Sequence, residues 1–291
     1  MSYFAARLFP NRSWFVRSAA SLLDMRDVTD DPIGAAKLAG SRPFLIEVSL
    51  SDCRNRKGFP YSKDGPHPFV RTARAYAEGH VNSYQESPLQ QYYDHYQPKN
   101  AAEALALPGD PSPMLLAAPP YGVVVPWEGR ALADARNRCD QTAKRESRAH
   151  GANLLLEHGT SGVGPVSLEK GVLEFSRLAR LVDGIRANGY VRSNKPDGDI
   201  VVKPLLWDDQ GFRFVLKVGK HRAAVLAALG FDRIPVRMKF GKVAKMENVD
   251  QWPHVRDGLF SPAQALELFR RIWEGEPPPN AVPPSWMGIG G

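Results

Sequence analysis

A chain of 291 residues with 43% hydrophobic and 24% charged side chains can bury one large core or two modest ones, as an ordinary soluble protein does. Its formal net charge is +7, and no apolar run reaches the length of a membrane span. The two cysteines, Cys53 and Cys139, stand far apart without metal-ligand spacing, which excludes a disulfide framework and a zinc site and points to a reducing compartment, the cytoplasm.

Residues 1–23 carry Arg7, Arg12 and Arg17 and no acid before Asp24, a composition that overlaps with transit peptides. Pro10 and the Trp14–Phe15 pair instead suit a first helix that docks on the body, and Trp14, Ala19, Leu22 and Leu23 place it over 13–24. Pro43 to Leu50 reads as a strand, and 51–69 as a long polar loop. Ser87 and Pro88 start a helix that stops before Pro98. Leu89, Tyr92, Tyr93 and Tyr96 share one face of it, a stripe expected to pack on a core with its hydroxyls at the rim; stacking on a base is the other use of such a face. Asn100 caps a short helix over 101–105.

Six prolines within 108–126 read as an extended connector or a segment wrapped over the surface, and as the best candidate for a domain boundary. Residues 128–150 follow as a charged, solvated helix. The glycine-rich Gly159–Pro165 lacks the spacing of a P-loop. Ser167 caps a helix running towards Ile185, on which Glu174 and Arg177 are spaced to pair with each other. Ser261–Pro262 starts a last helix, with Ala265, Leu266, Phe269 and Trp273 as its apolar stripe. The proline-rich tail from Gly275 is expected to be loose or draped.

The chain is organised around 212–236. Phe212, Phe214, Leu216 and Val218 alternate with Arg213, Val215 and Lys217, as in a strand with one face more buried than the other. Gly219 ends the alternation, Ala223–Leu229 is a run of helix formers stopped by Gly230, and Ile234–Pro235–Val236 restarts as a strand. The turn thus sets Lys220, His221 and Arg222 at a helix N-terminus, where free N–H groups and the dipole favour an anion. Residues 217–245 hold eight Lys or Arg against one acid, Asp232, a local charge equal to that of the whole chain. A solvated basic face would also account for the charge.

Val218-Gly219-Lys220-His221-Arg222, followed by Leu229–Gly230 and Ile234-Pro235-Val236, resembles the ParB/sulfiredoxin superfamily. The helix ending Ile185-Arg186-Ala187-Asn188-Gly189 and the apolar stretch 200–206 stand where that family has its preceding helix and first long strand. The resemblance covers roughly 165–240. It implies an α/β (α+β) fold, a small mixed sheet with helices, over 127–260. A mostly helical N-terminal region (1–126) would precede it, and a helix with a proline-rich tail (261–291) would follow.

Family members that reduce sulfinic acids carry Cys where this chain has Lys220, so thiol chemistry is set aside. Partition members carry Gly-Glu-Arg-Arg and a DNA-binding domain for which the C-terminal part is too short. The small-molecule kinases, with a Gly-x-His-Arg turn and an upstream catalytic Glu, are nearest. The resemblance therefore implies a nucleotide-binding protein, ATP or CTP with Mg2+, that transfers or hydrolyses a phosphoryl group with a small-molecule acceptor. Gly219, Lys220, His221 and Arg222 would hold the nucleotide. Glu174 and His221 would be catalytic, with Glu169 in reserve for Glu174. The alternative is a non-enzymatic binder of nucleotide or nucleic acid. No membrane partner is expected.

Overall fold

The computed structural model describes residues 22–40, 42–149, 151–192, 198–239 and 243–286. Its strands are β1 (Leu23–Asp24), β2 (Pro43–Ser49), β3 (Cys53–Arg54), β4 (Ile200–Leu206), β5 (Phe212–Val218), β6 (Arg233–Lys239) and β7 (Ala244–Lys245). Its α-helices are α1 (Pro32–Ala39), α2 (Pro68–Ala77), α3 (Pro88–His95), α4 (Ala101–Leu105), α5 (Pro113–Ala117), α6 (Ala135–Arg148), α7 (Leu168–Asn188), α8 (Lys220–Ala228), α9 (Pro253–Arg256) and α10 (Pro262–Glu274). The fold is mixed α/β, of the α+β kind. Among the described residues no helix is long and apolar enough to cross a membrane.

The strands form one mixed sheet in the order β1-β2-β6-β4-β5-β3, with β7 beside the far end of β4. β2 runs antiparallel to β6 along its whole length, Pro43 opposite Lys239 and Ser49 opposite Arg233. β4 and β5 form an antiparallel pair, and β6 lies parallel to the start of β4. Pro204 falls between the stretches of β4 that β6 and β7 pair, where a missing N–H breaks no ladder on that side.

Two cores sandwich the sheet. Phe214 and Leu216 of β5, Ile200 of β4 and Ile234 and Val236 of β6 face α2, α3, α7 and α8. Leu205 and Val215 face the other way, against Trp127, Trp252 and the Ala265, Leu268, Phe269 and Trp273 stripe of α10. β5 is therefore buried on both faces at its centre, where the alternation pattern implied one face more buried than the other.

Sheet and cores correct the expected division of the chain. β1, β2 and β3 belong to the same sheet as β4–β6, so no boundary at 126 separates an N-terminal, mostly helical region. The proline-rich 108–126 is no free connector, because Leu115, Val124 and Val125 are core residues. The tail is packed as well: Ala281 is fully buried and the Trp286 indole donates to Gln91 Oε1 at 2.7 Å. The helix expected over 13–24 lies mostly outside the described residues, and Leu23–Asp24 at its end are strand.

The caps stand where the residue types place them. Ser87, Asn100, Ser167 and Ser261 accept from the third helical N–H of α3, α4, α7 and α10. α2 was not read from the sequence, although His67–Pro68 is a cap followed by a proline at N1, and Phe69, Val70, Ala73 and Ala77 follow a helical period.

Candidate functional site

The strand–turn–helix–strand unit forms as expected. Gly219 adopts φ +83°, and a Cβ there would lie 2.9 Å from Ile200 Cγ1 and 3.2 Å from its Cα. Only glycine can turn the chain off β5 so close to β4. No side chain caps α8, which leaves its first N–H groups to a ligand or to water.

Lys220, the first helical residue, is accessible to solvent yet recessed among protein mass, and among the described residues it has no hydrogen-bond or ion-pair partner. Burial and the nearby Arg56 lower its pKa. Arg222 behaves differently. Its guanidinium donates to the carbonyls of Gly198, closely, and of Asp199 at 3.2 Å, locking the approach to β4. Arg222, which the resemblance implies as a nucleotide ligand, thus holds the frame of the site.

His221 and Glu174, both named from the resemblance, are brought together. His221 Nε2 lies 2.6 Å from Glu174 Oε2, and the imidazole stacks on Phe69 with centroids 4.5 Å apart. Glu174 is fully buried, with Lys170 Nζ at 2.5 Å and an Arg177 nitrogen at 3.1 and 3.3 Å from its oxygens. It is thus neither an exposed carboxylate nor a group that a substrate can touch. Burial alone would raise its pKa, but His221, Arg177 and Lys170 outweigh burial and hold it far below the carboxylate range. Burial pulls His221 down despite the favourable carboxylate, so at neutral pH the ring is neutral. The ionised Glu174 accepts from Nε2–H, which leaves the lone pair on Nδ1. Chemically, such an arrangement can let a histidine act as a base with the carboxylate orienting it. The reserve candidate, Glu169, is exposed and bonds to its own helix start and Ser167.

Further residues converge here that the sequence reading did not single out. The ammonium of Lys57, on the turn after β3, donates to the Gly162 carbonyl at 2.9 Å. Burial first, then Lys220 and Arg56, draw its pKa down to about 7. His67 is buried, caps α2 through Nδ1, and is pushed down to about 3 by burial and by Lys220, His221 and Lys57. Cys139 of α6 lies in the same field, but burial raises its pKa, so it is no activated thiolate. These residues come from loops and helices with no shared motif; only a fold brings them together.

The tyrosine stripe of α3 packs, as expected, and its hydroxyls hold the glycine-rich loop. Tyr92 donates to Gly162 O at 2.9 Å and Tyr93 to Ser161 O at 3.3 Å, while Gly164 N donates to Tyr96 O at 2.9 Å. None of these three rings is free to stack on a base.

Four cations of the basic run 217–245 are engaged in ion pairs. Lys217 pairs with Glu128, Arg233 with Asp30 and Glu47, Arg237 with Asp199, and Lys245 with Glu247. Magnesium does not fit the donor set. Glu174 is held by the cations Lys170 and Arg177 and by the His221 ring, Glu146 by Arg177, and Glu128 by Arg56 and Lys217. Among the described residues no group of three or more His, Cys, Asp or Glu could hold a metal ion. A separate open depression of about 390 Å3, lined by Asp64, Arg71 and Trp286, has its charged groups engaged: Asp64 with Arg74, and Arg71 over the Trp286 ring. No family model matches the chain, and comparison with curated proteins and with solved structures gives no match.

Proposed function

We propose that the protein binds a nucleoside triphosphate, ATP or CTP, at the uncapped N-terminus of α8 and transfers its terminal phosphoryl group to a small hydroxyl-bearing acceptor, or to water. The observation that carries this reading is Lys220, a solvent-accessible lysine with no ion-pair partner among the described residues, one residue before a histidine oriented by a buried glutamate. The free N–H groups and Lys220 would take the phosphate charge. Neutral His221 would accept the acceptor's proton on Nδ1 as the acceptor oxygen bonds to phosphorus and the bond to the departing diphosphate breaks. Glu174 would keep Nε2–H in place and stabilise the imidazolium that forms.

The element order α7, β4, β5, turn, α8, β6 supports the likeness to the ParB/sulfiredoxin superfamily on which the nucleotide class rests. Because Glu128, Glu146 and Glu174 are committed to cations, charge neutralisation would fall to lysine and backbone N–H groups, and binding should not require magnesium. The pairing of Lys217, Arg233, Arg237 and Lys245 with carboxylates lowers the charge this run offers to a nucleic acid, which favours the mononucleotide over that alternative. The unpaired cysteines suit the reducing cytoplasm.

Calorimetric titration of ATP and CTP in EDTA, with wild type and Lys220→Met, tests the reading. Binding by the wild type and a loss of at least tenfold in the variant, with an unchanged melting temperature, is expected, since a charge-assisted bond contributes about 1.5–3 kcal/mol. Equal affinity in the variant, or no nucleotide binding in the wild type, would sink the assignment.

A further inference from the structure

The turn 55–58 is far from α8 in sequence, yet it delivers a lysine to the same recess. Asn55 Oδ1 accepts from the backbone N–H of Lys57 at 2.8 Å and of Phe59 at 3.2 Å. Gly58 adopts φ +89°, and a Cβ there would meet the Glu276 carbonyl oxygen at 2.3 Å, so the tail braces the turn. Lys57 Nζ is then held by Gly162 O, the carbonyl that also accepts from Tyr92. The tyrosine helix, the glycine-rich loop and the tail thus all position one ammonium group.

We propose that Lys57 is a second phosphate ligand, acting with Lys220, and that the pair selects a ligand with two or more linked phosphates over one with a single phosphate. This rests on the nucleotide reading of α8 given above. Neither Lys57 nor Lys220 has an ion-pair partner among the described residues, whereas Arg56, Lys170, Arg177 and Lys217 each have a carboxylate. The charged and titratable groups facing Lys57 are Lys220 on α8, Arg56 on its own turn, His67 at the start of α2 and Cys139 on α6. None of them is an anion at neutral pH. The carboxylates of Glu146 and Glu174 lie in the wider field of Lys220, but they pair with Arg177 and Lys170 rather than with it. Two ammonium groups that repel each other and form no ion pair among the described residues leave a place for a polyanion.

A consequence follows for protons. With its pKa drawn down to about 7, Lys57 is mostly neutral at pH 8. A phosphate chain beside it would favour the charged form, so binding at pH 8 should take up a proton. Below pH 7 Lys57 already carries its charge and the uptake should fade.

Calorimetry with inorganic phosphate, tripolyphosphate and ATP, repeated at pH 8 in buffers of different ionisation enthalpy, tests this. The wild type should prefer tripolyphosphate to phosphate at least tenfold. Lys57→Met should lose most of that preference. Lys57→Arg, always charged, should keep it while lacking the proton uptake; the difference between wild type and this variant cancels the titration of ATP itself. Should Lys57→Met fail to fold, Lys57→Arg still decides, because proton uptake equal to wild type overturns the role of Lys57. So does a wild type that binds tripolyphosphate no better than phosphate, or a folded Lys57→Met with the preference intact. In those cases the Lys220 site still stands. If no anion binds the wild type at all, the nucleotide reading falls and this proposal falls with it.

Discussion

Glu174 Oε2 and His221 Nε2 lie 2.6 Å apart, joining the middle of α7 to the first turn of α8 across the floor of the recess. The pair is half of a buried network, because the same carboxylate also neutralises Lys170 and Arg177. One side chain therefore serves two ends. It keeps two cations buried within the helical layer and sets the tautomer of the residue that would meet the substrate.

Glu174→Gln should accordingly be a stability mutation as well as a functional one. Arg177 would keep Glu146 at 3.2 Å, but Lys170, only 3% exposed, would lose its one carboxylate. Breaking a buried pair by removing one partner costs about 3–5 kcal/mol. Urea unfolding should register a loss of that size. A loss of a few tenths, the scale of an exposed i, i+3 pair, would show that the network is not closed as described.

Local signals in the sequence carried the elements but not the site. The caps Ser87, Asn100, Ser167 and Ser261 and the stop at Gly189 are chemistry between near neighbours, so their positions were legible. The two-sided burial of β5 was not, because Val215 reads the same whether it faces solvent or a second core. Glu174 and His221 were nameable from the resemblance, but the full burial of Glu174 depends on α2 and α3 closing over α7. Lys57 gave no signal in its own stretch, where it is one basic residue in a loop; its meaning comes from Gly162 and Lys220. The tail, loose or draped by its sequence, is a related case. Its prolines preclude regular structure, but Ala281 and Trp286 still find apolar partners.

Arg222→Ala should separate frame from ligand. Because Arg222 donates to the carbonyls of Gly198 and Asp199, truncation leaves those groups short of a charged donor, at about 1.5–3 kcal/mol. Thermal unfolding should show a clear drop, whereas Lys220→Met, which removes no internal bond, should show almost none. Equal melting temperatures in the two variants would place Arg222 outside the frame.

Gly164→Ala tests the chain of support behind the glycine-rich loop. A Cβ at Gly164 would stand 1.8 Å from the Tyr93 carbonyl oxygen, a backbone atom that cannot swing aside. The loop must move off α3, at roughly the 1–3 kcal/mol of overpacking or more. Lys57 then loses its anchor on Gly162, so affinity for ATP should fall together with stability. A destabilised variant with full affinity would show that the loop does not position Lys57.

The last prediction concerns acid. His67 is 3% exposed and titrates at about 3 in the folded protein, against roughly 6.5 in an unfolded chain. Burial, the largest cause, and the charges of Lys220, His221 and Lys57 all oppose its protonation. Between those two values the unfolded state binds the proton and the folded state does not, so stability must fall as pH drops from 6.5 towards 3. The slope from this one residue approaches 1.4 kcal/mol per pH unit within the window. His221, also lowered by burial, adds to the same limb, and Glu174 joins as pH falls into the ordinary carboxylate range, where unfolded carboxylates begin to protonate. His67→Asn keeps an acceptor for the Phe69 N–H, which His67 now bonds through Nδ1 at 3.1 Å, but removes the titration. Urea unfolding between pH 6.5 and 4.5 should therefore give a shallower slope in the variant, by about 1.4 kcal/mol per unit, whatever its stability at pH 7. Parallel slopes for the two proteins would mean that His67 is protonated in the folded state and that the recess is far less cationic than Lys57 and Lys220 imply.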